Sequence, residues 1–431
     1  MIAKIAWRNL WFKPLNTTLS IILLTASVAI ISLLILLQEQ FENKFSKNID
    51  GVDLVLGAQG SPLQLILSSV YQLDSPTGNI NYKEAEVWMK HPFVEMAIPL
   101  AFGDNYLGYK IVGTTADYIT KFDGTFAQGK VFNKDFEVVI GSKIAQNLNL
   151  KLGDEFFGSH GESQEDEHLH DAHAYTIVGI LAPTDKVIDN LVLCTIDSVW
   201  LIHNEAHDHD DDAHDHDNHE GHNHAAHDIS GTDHDDAHGH EHDLEEAHAD
   251  KEITAVLLKI KNKMAFVSWP RLIPQNTKMQ VASPAIEVNR LFALFGLGLD
   301  ALQYLALGIM LISGISIFIA LYNQLKERKY EFALMRIGGA KRGQLLLLIL
   351  YESLLLCVVG FVLGTALGRL SLWMISDATA QEYKMDFDPW LILWQKEGML
   401  FALTLAVGII AACIPAIKAY TLNISKTLNN A

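Results

Sequence analysis

Histidine and carboxylate are concentrated together in two short parts of the chain. Of its 19 histidines, 14 lie in His203–His248, four lie in His160–His173, and one, His91, lies elsewhere. The larger group repeats a His-x-His spacing in His207/His209, His214/His216, His222/His224 and the triple His238/His240/His242, with His219, His227 and His234 between them. The smaller contributes "HLHDAH", with His168, His170 and His173. Neutral imidazole nitrogens beside carboxylates suit Zn²⁺, and equally Ni²⁺, Cu²⁺ or Co²⁺. Binding of a divalent transition metal is therefore expected. The segment 204–250 has few apolar residues, so it is expected to be disordered alone, with many interchangeable sites of modest affinity in place of one rigid tetrahedron. Three roles stay open: metal capture, buffering or sensing; low-complexity expansion without a transport role; and pH sensing, since imidazole titrates at about pH 6.5.

The acidity belongs to the same two places. The net charge is −19, yet Glu205–Asp250 holds 17 acids and no Lys or Arg, and Glu162–Asp171 holds five acids and no base. The remainder is nearly neutral, and no basic surface calls for a nucleic-acid partner. Three cysteines without a CxxC indicate neither a thiolate metal site nor a disulfide framework.

Four stretches are almost free of charge: Pro14–Gln38, Ala301–Leu325, Gly343–Gly368 (with only Glu352) and Gly398–Ile417. A helix needs about 20 apolar residues to cross the hydrocarbon core, and each stretch suffices. Lys4, Arg8 and Lys13 precede the first. Lys326, Arg328, Lys329, Arg336, Lys341 and Arg342 separate the second from the third, and Lys418 and Lys426 follow the fourth. By the positive-inside rule both termini and the central loop are cytoplasmic. The first span lacks a small-residue cleavage site after it and reads as a retained anchor. Between the first two spans, "FEVVIG", "AYTIVGILAP", "NLVLCTI" and "ITAVLLKIK" are strand-like, and "SKIAQNLNL" has helical spacing.

The expected architecture is an α-helical membrane protein with four transmembrane helices plus a large α+β periplasmic domain inserted between helices 1 and 2. Its parts are an amphipathic cytoplasmic helix (1–15), span 1 (16–38), the domain (39–290) with inserts 159–173 and 203–250, span 2 (300–325), a cytoplasmic loop (326–342), span 3 (343–368), a short outer loop (369–397), span 4 (398–417) and a tail (418–431).

Several stretches together resemble the permease subunits of MacB-, Lol- and FtsX-like ABC transporters. They are "IAWRNLWFKPLNTTLSIILL", "VDLVLGAQGSPLQLILSSVYQLDSPTGNI", "EVVIGSKIAQNLNLKLGDEF", "YTIVGILAP" and "ERKYEFALMRIGGAKRGQLLLLILYESLLL". The resemblance implies a dimer, homo- or heteromeric, that works with a cytoplasmic ABC ATPase subunit. It also implies an outer domain that acts on a substrate outside the inner membrane, such as a lipoprotein or peptide. No GxxxxGK[ST] occurs, so no nucleotide is expected on this chain itself and it is not expected to be an enzyme.

In the central loop, Glu327, Arg328, Glu331 and Arg336 are suited to docking on a soluble partner, and Gly338–Gly339 to ending the helix. A bare orientation signal is the alternative. Gly360, Gly364 and Gly368 form a small-xxx-small ladder for close approach of another helix, in the same four-helix unit or in a dimer. Glu352 is either functional or an acid that snorkels to the loop. The expected function is an ABC transporter permease acting on a lipoprotein, peptide or metal-linked protein. Efflux of a small toxic compound and a non-transporting metal-sensing scaffold are the alternatives. A conduit for metal would need ligands inside the membrane, and the four stretches hold neither His nor Asp.

Overall fold

The computed structural model describes residues 14–160, 168–169, 173–202, 251–382 and 386–421. The chain divides into two units, one formed by Met1–Asn43 and Leu291–Ala431, the other by Lys44–Arg290.

In the first unit, four helices are long and apolar enough to cross a membrane: α1 (Pro14–Ile49), α2 (Pro284–Glu327), α4 (Arg342–Glu382) and α5 (Trp394–Tyr420). A shorter helix, α3 (Lys329–Ile337), joins α2 to α4. Each long helix outruns its charge-free stretch, because helical hydrogen bonding continues until the backbone is interrupted. No Gly or Pro lies between Arg369 and Glu382, so α4 runs through about half of what the charge pattern marks as loop. Similarly, α1 ends only before Gly51, at φ +76°. Leu24, Val28, Met310, Ile317, Leu321, Leu348, Leu356 and Ala412 fill the interior of this unit.

The second unit is built on a mixed sheet. Its main strands are β1 (Leu54–Ala58), β2 (Val94–Tyr106), β3 (Tyr109–Gly113), β4 (Phe126–Gly129), β5 (Glu137–Ile140), β6 (Tyr175–Leu181), β7 (Val192–Cys194), β8 (Ala255–Ile260) and β9 (Met279–Ala282). They lie in the order β9-β1-β8-β2-β3-β7-β5-β6-β4. The pairs β3–β7 and β5–β6 are parallel and the rest antiparallel. The β-branched runs supply the central strands, whose side chains (Leu54, Leu56, Ile111, Val138, Ile140, Ile177, Val192, Val256, Leu258) form one buried core. The helix Ser142–Leu148 ends on Asn149 at φ +53°, a left-handed cap that asparagine tolerates.

The last turn of α1 is fixed to this unit. The Tyr71 hydroxyl donates to the Phe45 carbonyl at 2.9 Å, and Lys121 Nζ donates to the Asn48 carbonyl at 2.7 Å. The Asn48 side chain accepts from the Val187 N–H at 2.9 Å. Burial pushes the Lys121 ammonium down to about 7, with the neighbouring Lys186 charge acting in the same direction.

The chain leaves the sheet through a helical segment, 196–202, and returns at Lys251. Departure and return are tied together. Trp200 Nε1 donates to the Glu252 carbonyl at 2.6 Å, Lys251 pairs with Asp197 at 3.5 Å, and the Lys251 ammonium sits 4.3 Å from the centre of the Trp200 ring. Tyr82 stands edge-on to that ring at 5.3 Å, and its N–H bonds the Lys251 carbonyl. The stem of the larger insert is thus closed without the insert. Replacing residues 204–249 by a short Gly-Ser linker is expected to leave thermal unfolding of this unit within about 4 °C, a change of about 1 kcal/mol for a domain of its size. A melting curve of the shortened full chain checks this, and loss of cooperative unfolding would refute it.

Candidate coupling site

Helix α3 carries the residues that the sequence marks for docking, and the structure divides them by role. Arg328 is buried just before the helix, and its guanidinium grips Glu331 with Nε and Nη2 at 2.7 and 2.6 Å. The same guanidinium lies 5.8 Å from the ring of Phe332, which is buried in the interior of the membrane unit beside Ala333. Arg336 Nη1 donates to the Ala340 carbonyl at 3.4 Å. Arg328, Glu331 and Arg336 therefore hold the helix in its own fold. Glu327 is exposed at the end of α2 and also has a polar contact.

Gly338 and Gly339 end α3. The N–H of Ala340 bonds the Met335 carbonyl at 3.0 Å and the N–H of Gly339 bonds the Arg336 carbonyl at 3.2 Å. Gly339 stands at φ +97°, where a side chain is strained. The two-bond pattern closes the orphan carbonyls and turns the chain toward α4.

The surface that α3 leaves open is apolar, which the charge pattern does not reveal. Tyr330, Leu334 and Ile337 are 49%, 48% and 60% exposed. Their spacing of four and then three residues puts them on one helical face. Phe332 and Ala333 occupy the other. The signal was present in "KYEFALMRI", whose apolar residues are too many for one buried face.

The glycines of α4 meet α1 within the same chain. A Cβ added at Gly360 would lie 2.6 Å from Leu24, at Gly364 2.6 Å from Val28 and 2.9 Å from the Thr25 carbonyl, and at Gly368 2.8 Å from the Ala29 carbonyl. Of the two partners open to this ladder, the intrachain one is realised here. Glu352 is 2% exposed and so does not snorkel, while its neighbour Ser353 donates to the Gly408 carbonyl of α5 at 2.7 Å.

Among the proposed metal ligands, His170 and His207, His209, His214, His216, His219, His222, His224, His227, His234, His238, His240 and His242 lie outside the described residues. His168 is placed by its backbone opposite His160 in a two-residue antiparallel pair. His173 stacks on Phe136, ring centres 4.5 Å apart. Among the described residues no three His, Cys, Asp or Glu side chains converge on a common point. Cys194 is wholly buried in β7, and burial pushes its thiol far up, so it is no ready thiolate.

Residues 17–211 match the MacB-like periplasmic core domain, and residues 304–424 match the FtsX-like permease C-terminal domain. With both matches in sequence order on four candidate spans and an inserted α+β domain, the chain belongs to the MacB/FtsX-like family of ABC transporter permeases. No curated protein sequence matches it. Among solved structures, the periplasmic region of MacB from Actinobacillus actinomycetemcomitans is similar at 10% identity, with a TM-score of 0.32, 57% of this chain covered and 97% of the other. The extracellular domain of the noncanonic ABC-type transporter YknZ from Gram-positive bacteria is similar at 10% identity, with a TM-score of 0.28, covering 53% and 99%.

Valine at Gly364 would have to displace both a side chain and a backbone carbonyl of α1, so Gly364→Val is expected to destabilise the membrane unit by about 1–3 kcal/mol. Gly308 has open space where a Cβ would stand, and Gly308→Val should be close to neutral. Thermal unfolding of the two variants in lipid nanodiscs decides it. Equal melting would mean that the ladder is not a tight contact.

Proposed function

We propose that the chain is the permease subunit through which a separate cytoplasmic ABC ATPase moves the inserted α+β domain, acting on a periplasmic or membrane-associated substrate such as a lipoprotein, a peptide or a metal-linked protein. The observation that carries this reading is the exposed Tyr330–Leu334–Ile337 face on a helix whose opposite side, through Phe332, is buried in the bundle. An exposed apolar stripe on a short helix fits a hydrophobic groove on a partner, and a push on that face reaches the spans through packed side chains. Both termini and α3 lie in the cytoplasm in this reading, because the basic residues cluster there. The unit works as a homo- or heterodimer with a similar permease. The family membership supports the kind of partner.

Leu334→Asp and Ile337→Asp are expected to weaken retention of the ATPase by at least about tenfold, since an apolar contact at the centre of an interface is worth roughly 2 kcal/mol or more. Co-purification of the tagged permease with its ATPase from membranes measures it. Undiminished retention by the double variant, with the fold intact, would remove the docking role.

The His-rich segments bind Zn²⁺ or a similar ion in this reading and report it to the transporter. The ligand chemistry supports this, as does the backbone register that sets His160 opposite His168. Zinc is expected to alter ATP turnover of the permease–ATPase complex in nanodiscs when residues 204–249 are present and to leave the shortened chain unaffected. Identical responses of both forms at every zinc level would eliminate regulation by that segment.

A further inference from the structure

The connection from α4 to α5 is apolar where a polar loop would be ordinary. "FDPWLILWQKE", Phe387–Glu397, exposes Trp390 and Trp394 at 79% and 81%, together with Ile392. Yet this segment is tightly built. Phe387 is buried with Leu36 and Leu372, and its ring meets Phe41 at 5.3 Å. Ser376 Oγ donates to the Phe387 carbonyl at 3.0 Å and accepts from its N–H at 2.7 Å. The Gln40 amide does the same for Asp388, donating to the carbonyl at 2.9 Å and accepting from the N–H at 2.7 Å. Arg369 Nη1 donates to the Pro389 and Leu391 carbonyls at 2.7 and 3.1 Å, and Nη2 to the Glu397 carboxylate. Lys396 pairs with Glu39 at 2.6 Å, tying α5 to α1.

The protein thus supplies hydrogen bonds that a solvated loop would take from water, and it turns indole and aliphatic surface outward. Backbone satisfied internally is what a low-water layer demands. Indole, with an apolar body and one N–H, partitions to the boundary between headgroups and chains. The segment is also continuous with two spans. We propose that residues 386–394 form a fixed anchor in the lipid headgroup layer, with Trp390, Ile392 and Trp394 set among phospholipid glycerol and carbonyl groups. Because Gln40, Arg369 and Lys396 lock it to α1, α4 and α5, the anchor fixes the depth of these three helix ends in the bilayer.

The test uses the full chain in phospholipid nanodiscs with Cys413→Ser, leaving the buried Cys194 and Cys357, and a bimane label on Trp390→Cys or Ile392→Cys. Quenching by lipid carrying a nitroxide on the headgroup is expected to exceed, by about twofold or more, quenching by lipid carrying it near mid-chain, with strong shielding from aqueous iodide. A label on Ile312→Cys, exposed in the apolar part of α2, should favour the mid-chain nitroxide. Failure there would strike the membrane reading itself and not the anchor alone. Iodide access like that of free dye at residues 390 and 392 would place the segment in water. Strongest quenching from mid-chain would place it deep in hydrocarbon, and shielding from iodide and both nitroxides would mean that protein covers it. Each of these three outcomes overturns the proposal.

Discussion

Lipid tails are as apolar as leucine, so two helices in a bilayer gain little by hiding apolar surface from their surroundings. They associate through close van der Waals contact and interhelical hydrogen bonds. In this chain one such contact is the line along which Gly360, Gly364 and Gly368 of α4 meet Leu24, Thr25, Val28 and Ala29 of α1, and another sets Gly408 of α5 against Cys357 of α4. Two hydrogen-bonded links extend them. Ser20 and Ser316 bond at 2.8 Å between α1 and α2, and Ser353 reaches Gly408 between α4 and α5. Helix α1 matters for a second reason, since its last turn belongs to the α+β unit, where Tyr71 and Lys121 hold its carbonyls.

Helix α3 shows how charge and exposure can exchange their expected roles. In "ERKYEFALMRIGGA" the ionic residues look like the recognition surface and the apolar ones like core. Arg328 and Glu331 also pair with each other, and Arg336 bonds a carbonyl at the helix end. A guanidinium half-withdrawn from water gains more from a fixed carboxylate than an exposed one does, because solvent screens the exposed pair. That leaves Tyr330, Leu334 and Ile337 outside. The charges help hold a short helix that helix propensity alone would not keep together, and its apolar face stays exposed.

The fold was legible where periodicity and composition are strong. Uncharged runs marked four spans, and "FEVVIG", "AYTIVGILAP", "NLVLCTI" and "ITAVLLKIK" became β5, β6, β7 and β8. Helix ends were less legible, since a change from apolar to charged residues tells where hydrocarbon ends and not where hydrogen bonding does. Hence α4 continues through Asp377 to Glu382. The partner of the glycine ladder was illegible, because a small-xxx-small pattern permits close approach without saying to what. Which face of α3 stays open is set by the bundle for a related reason. Sequence places Phe332 and Leu334 as near equals, and only the position of the bundle decides that one is buried and the other open.

The acidic inserts pose the remaining physical question, which is how a domain accommodates them. Closing a flexible loop costs entropy that grows only with the logarithm of its length. Once Trp200, Asp197 and Lys251 bind the two ends together, the domain is nearly indifferent to what lies beyond. Such a stem also confines influence to one place. Helix 196–202 is tied to the sheet through Ser198, whose hydroxyl accepts the Phe136 N–H at 2.9 Å, and the returning end of the smaller insert rests there too, with His173 on Phe136. The departing end of the larger segment and the returning end of the smaller one thus meet the sheet around one aromatic residue. In the bundle, by contrast, the charge-free stretches hold no histidine or aspartate, the side chains a metal conduit would need. The proposed metal role rests on the His-rich segments, all of which lie between the first two spans, and needs no path through the membrane.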